Sequence, residues 1–207
     1  MRGVLSIGKR AVEMSVYYTI RIKQNHSAAL TRPGDFEGEF VRNVSGDLLC
    51  WNDSDDKEID EKTEPVGKIG ALLIRCGEAM NQRVSILDQA DAHSGSAESV
   101  TSSVFGRYHN RISGYAEQCV HDVLYLEEIE FSEDRTRSDL DLWFILRFCQ
   151  QFDVDLVVID ASYKRATKLG FRGMIGRSKE YLMLSTAFAW KEDVLPPIEA
   201  PYGETVQ

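Results

Sequence analysis

The stretch Leu124–Phe171 reads LYLEEIEFSEDRTRSDLDLWFILRFCQQFDVDLVVIDASYKRATKLGF, and the fold turns on it. Its first eight residues alternate. Leu124, Leu126, Glu128 and Glu130 fall on one face of a strand, and Tyr125, Glu127, Ile129 and Phe131 fall on the other, as a period of two requires. Residues 132–138 are polar and predict a turn. From Asp139 to Phe152 apolar side chains occur on nearly every side of a helix, which marks it as largely buried. Asp139 is suited to be its N-cap. Asp155–Ile159 is short, apolar and rich in β-branched residues, as in a strand covered on both faces. A strand, a helix and a second strand in this order predict a βαβ unit with parallel pairing. Ser162 is placed to cap a short helix that runs to Leu169, and Gly170 stops it.

Outward from that stretch the pattern is mostly strand. In Ser15–Gln24, Val16, Tyr18, Ile20 and Ile22 share a face. Glu39–Val44 and Leu48–Trp51 read as two short strands, with Ser45-Gly46-Asp47 as the hairpin turn between them. Val66–Cys76 is a further strand whose glycines predict a bulge or close packing. Arg83–Leu87 reads as a short strand, 88–94 as a polar turn, and Ala97–Phe105 as a helix capped by Ser94 or Ser96. Glu180–Trp190 predicts a last strand. Residues 52–64 carry seven acids against Lys57 and Lys62, which predicts an exposed loop. The spacing of Asp53, Asp55 and Glu64 fits a calcium loop, but Glu58 stands where that loop's sharp turn needs glycine. Asp91 and His93 are close enough in sequence for a local hydrogen bond. The acids and three prolines of 191–207 predict a tail.

At 207 residues and 43% hydrophobic, the chain can bury a sizeable core, and a single domain with its core at 15–190 is expected. A formal net charge of −9 works against nucleic acid and anionic membrane as partners, because phosphates would be repelled. No apolar run approaches the ~20 residues that span a bilayer. Cys50, Cys76, Cys119 and Cys149 form no C-x-x-C pair, so free thiols in a reducing, cytoplasmic setting are expected. Residues 1–14 lack the apolar core of a secretory signal. The P-loop, G-x-S-x-G, H-E-x-x-H and dinucleotide-binding glycine patterns are missing from the sequence.

The segment Ala166-Thr167-Lys168-Leu169-Gly170-Phe171-Arg172, followed by Glu180-Tyr181-Leu182-Met183-Leu184, resembles the end of one helix and the next strand in the GNAT superfamily of N-acetyltransferases. Leu126–Phe131 is similar to that family's fourth strand. The resemblance implies an α/β (α+β) fold, a mixed twisted sheet flanked by helices and splayed between two central strands. It implies acyl transfer from acetyl-CoA to a small-molecule or protein amine. Coenzyme A would lie against Phe131, Arg135, Arg137 and Ser138. Glu128 would be the general base, with Glu130 and then Glu127 behind it, and Tyr163 the general acid in place of a tyrosine the family often carries where this chain has Ala166. The family's pyrophosphate turn bears glycines, whose backbone amides meet the phosphates at a helix N-terminus. Between Gly114 and Gly170 this chain has none, and Asp139 and Asp141 stand where the pyrophosphate would lie. Two functions follow from the resemblance: a transferase with an atypical cofactor site, or an inactive GNAT-fold protein that binds a ligand or partner.

Overall fold

The computed structural model describes residues 16–24, 40–52, 64–105, 122–131, 139–173 and 180–185. The acidic segment 53–63, the turn with Arg135, Arg137 and Ser138, Cys119, and the tail from 191 lie outside the described residues. Seven strands form one mixed sheet: β1 (Val16–Gln24), β2 (Val41–Asn52), β3 (Gly67–Ile74), β4 (Val123–Phe131), β5 (Leu156–Asp160), β6 (Arg172–Gly173) and β7 (Tyr181–Ser185). Their spatial order is β1-β2-β3-β4-β5-β7-β6. The pairing is antiparallel everywhere except between β4 and β5. This is a mixed α/β architecture, and the βαβ unit expected from the sequence is present, with α4 (Leu140–Cys149) as the crossover.

Both faces of the sheet are covered. On one, Val44, Leu48, Ile69, Ala71, Leu124, Leu126, Val157 and Ile159 pack against α4, whose Phe144, Ile145, Phe148 and Cys149 are fully or nearly fully buried. On the other, Leu72, Ile74, Tyr125, Leu156, Val158 and Met183 pack against α3 (Gly95–Phe105) and the end of α2 (Ile86–His93). Alternation along each strand assigns its residues to these two layers. Burial pushes the Cys76 and Cys149 thiols upward in pKa, as expected for inert core cysteines; Cys50 is half-buried.

Several sequence expectations are corrected. No turn breaks 45–47, because β2 is one strand of 12 residues with β1 on one side and β3 on the other. Gly46 serves packing: a Cβ there would lie 2.6 Å from Phe148 Cδ2. The segment 83–94, read as strand and polar turn, instead holds α2, and α1 (Cys76–Asn81) precedes it where no element was expected. Ser85 caps α2 by accepting from the Asp88 amide, and Arg83 takes a left-handed φ of 59° in the link between the helices. The α3 cap is as expected, Ser94 Oγ accepting from the Ala97 amide at 3.1 Å. Asp139 is not a side-chain cap: it adopts φ 57° and makes no side-chain hydrogen bond to the helix. Ser162 does not cap either. Its amide donates to Asp160 Oδ1 at 2.7 Å, and Tyr163 starts a 3-10 helix, Lys164–Leu169. Gly170 ends that helix at φ 90°, as glycine's freedom there allows.

Among the described residues, no helix is long and apolar enough to cross a membrane.

Candidate functional site

The site is built where β4 and β5 part. Their parallel pairing covers Val123–Leu126 against Leu156–Ile159 and goes no further. β4 continues to Phe131, and among the described residues this part pairs on its β3 side alone. β5 ends at Asp160, where the chain turns away into the 3-10 helix. Among the described residues, Glu127–Phe131 therefore presents an unpaired backbone edge inside the sheet. Backbone N–H and C=O groups on such an edge demand partners.

A bulge sets which side chains flank this edge. Gly70 pairs with Glu128 and Ala71 with Leu126, so Glu127 is an extra residue on β4. The insertion inverts the alternation beyond it. Leu124 and Leu126 face α4 before the bulge, and Ile129 and Phe131 face α4 after it. The expectation that Leu124, Leu126, Glu128 and Glu130 share one face is thereby overturned. Glu128 and Glu130 lie on the α3 face, opposite Gly70 and Lys68. Glu127 points there too, accepting a hydrogen bond from Ser96 Oγ at the start of α3.

All three glutamates are exposed. Glu128 lies over Gly70, where an added Cβ would sit 3.6 Å from Glu128 Oε2; the missing side chain leaves that side of the carboxylate open. Beneath the glutamates Tyr125 and Tyr181 meet edge to face at 5.8 Å, and Tyr181 Oη shares a 2.8 Å hydrogen bond with Ser99 Oγ. Burial, with neighbouring Tyr181, Glu127 and Asp160 adding to it, pushes the Tyr125 phenol up to about 12. Phe131, expected at the cofactor, packs edge-on against Phe144 at 5.7 Å and covers Gly67.

On the opposite face the first turn of α4 is closed by its own carboxylates. Asp141 is fully buried. It accepts from Tyr163 Oη at 2.5 Å, Arg165 Nε at 2.8 Å and Arg165 Nη2 at 2.9 Å. Asp139 accepts from Arg165 Nη2 at 2.6 Å and Lys168 Nζ at 3.1 Å. The Lys168 hydrogen bond, with Arg165 assisting, holds Asp139 below the usual carboxylate range. Bonding to Asp141 raises Arg165. Burial, then the bond to Asp141, lifts Tyr163 above the ordinary phenol. The structure thus brings Glu127, Glu128 and Glu130 together on one face and places Tyr163 on the other, donating to Asp141. Arg165 and Lys168 were not singled out from the sequence. The signal for them was their spacing from Tyr163 on one short helix, facing the two acids at the start of α4.

The described residues contain no group of three or more His, Cys, Asp or Glu arranged to hold a metal ion; Asp91 and His93 simply lie along α2. No family model, no curated protein and no solved structure matches this chain.

Proposed function

We propose that the protein is a GNAT-like N-acyltransferase with an altered donor site. One observation carries this reading: the unpaired, bulged edge of β4 lies beside a carboxylate face. An acyl thioester on a pantetheine arm is an extended chain with two amides, the kind of ligand an open strand edge can hydrogen-bond as a further strand would. The strand order, with its single parallel pair at the parting, is compatible with the fold that the resemblance to that superfamily implies. The arm of coenzyme A fits the edge. At the start of α4 its diphosphate would meet Asp139 and Asp141, which among the described residues are paired with Arg165 and Lys168.

When bound, the thioester supplies an activated carbonyl. The acceptor, a small-molecule or protein amine, approaches from the α3 face, drawn by Glu127, Glu128 and Glu130. Glu128 takes the proton from the ammonium, directly or through one water, and so frees the lone pair. Gly70 leaves room for that approach. Ser96 fixes Glu127 beside it. Tyr163 keeps its proton on Asp141, so the departing thiolate takes its proton from water.

Calorimetry with acetyl thioesters, followed by turnover of Glu128→Gln, tests the reading. Turnover should fall about 100-fold while donor affinity stays within about twofold. Equal turnover in the variant removes Glu128 from the reaction. A second reading, a GNAT-fold binding module without chemistry, is favoured by the engagement of Tyr163 with Asp141. It prevails if no thioester binds at about millimolar concentration.

A further inference from the structure

We infer that Glu127 and Asp160, with the Tyr125 hydroxyl beneath them, form a binding site for a primary ammonium cation on the α3 face of the parting. The site stands on its own geometry. Its role, to receive the acceptor amine beside Glu128, rests on the acyl-transfer reading above.

The last parallel pair joins Leu126 to Ile159, and Glu127 and Asp160 are the residues that follow on the two strands. Alternation along β5 puts Asp160 on the face of Leu156 and Val158. Glu127 reaches the same face through the bulge, where Ser96 holds it. The two carboxylates therefore flank the fork from opposite strands. Each is fixed by one oxygen: Glu127 Oε1 accepts from Ser96 Oγ, and Asp160 Oδ1 accepts from the Ser162 amide at 2.7 Å. A carboxylate offers several lone pairs on its two oxygens, so each keeps capacity for a ligand.

Two exposed acids alone would be an ordinary solvated surface, and Tyr125 makes the difference. It is 6% exposed. Among the described residues its hydroxyl has no hydrogen-bond partner, while Tyr181 beside it is bonded to Ser99. Burial first, then Tyr181, Glu127 and Asp160, raises its pKa, so both carboxylates act on this hydroxyl. A buried hydroxyl calls for a partner; this one stays protonated and keeps lone pairs for a donor. A primary ammonium has three N–H donors and no acceptor. Glu127, Asp160 and Tyr125 supply three acceptors, two of them charged, and charge-assisted bonds are the stronger kind.

The full chain would be titrated with butylammonium and with butyltrimethylammonium at fixed ionic strength, followed by calorimetry and amide chemical shifts. Butylammonium should bind about tenfold more tightly than the quaternary ion, which has no N–H to donate. Asp160→Asn, whose amide oxygen can still accept from Ser162, should weaken butylammonium about tenfold, and Tyr125→Phe about threefold. Acetyl thioester affinity should be unchanged in both. Should either variant unfold, the two cations compared on the parent chain still decide. No butylammonium binding, equal binding of the two cations, or parent-like binding in both variants would overturn the inference and leave acyl transfer standing. Selective butylammonium binding by a chain that binds no thioester would keep the site and bring down the acyl-transfer reading instead.

Discussion

Asp141 shows how much a single side chain decides. A carboxylate taken wholly out of water has lost several kcal/mol of hydration, and it persists only if charge and hydrogen bonds replace what was lost. The Arg165 fork and the Tyr163 hydroxyl do so. Asp141→Ala would strand Arg165 and Tyr163, and it should cost about 2–4 kcal/mol in urea unfolding, since Arg165 retains some solvent. Asp141→Asn should recover part of this; a loss below about 0.5 kcal/mol in the alanine variant would mean the network is not holding α4 to the 3-10 helix. Asp139 differs in being only partly buried, and its effect is one of pH. Its folded pKa lies below its unfolded value, so the native state binds fewer protons. The stability it adds is present above about pH 4 and is lost as pH falls through the depressed folded value. An acid titration followed by circular dichroism should show Asp139→Asn losing less stability than the parent below that point. The sequence displayed both acids plainly, but their partners lie 24 and 26 residues away. Charge alone suggested a helix cap and repulsion of phosphate; only the fold reveals that Arg165 answers both acids.

At the level of elements, strands and the buried helix were legible because their periodicity is strong. β1, β3, β4, α4 and β5 lie where alternation or all-round apolarity placed them. Two misreadings have physical causes. Gly46 looks like a turn residue, but glycine also occurs where a neighbour needs the space of a side chain, and Phe148 takes that space. Gly46→Ala should therefore cost about 1–3 kcal/mol by overpacking, and much of the loss should vanish in a Phe148→Leu background. Additive losses in the double-mutant cycle would show that Phe148 is not the reason for the glycine. The second misreading is the parity of β4. A bulge is one residue long and leaves no trace in composition, so strict alternation carried Glu128 and Glu130 to the wrong face. The three glutamates of β4 were visible in the sequence; the face they share was not. The polar run 85–94 hid α2 because its helical signal is chiefly the cap, Ser85 with Asp88 three residues on.

Across the whole molecule, four parallel residue pairs join two sets of strands, β1–β4 and β5–β7–β6. Most sheets keep their unpaired backbone at the rim, where short strands, bulges or charges discourage other chains from adding. Here, among the described residues, an unpaired edge also lies in the middle, at Glu127–Phe131, and it includes the apolar Ile129 and Phe131. The three glutamates then have a second consequence, independent of any chemistry. They surround an adhesive strand with like charge, so a segment of another copy approaching that edge meets repulsion before it meets hydrogen bonds. Neutralising all three, as Glu127→Gln, Glu128→Gln and Glu130→Gln together, should raise self-association in light scattering, most clearly at low salt, where the repulsion in the parent is strongest. Equal scattering from parent and variant would mean that the edge is guarded by something else. The acids proposed to receive a cationic substrate would thus also hold separate copies of the molecule apart.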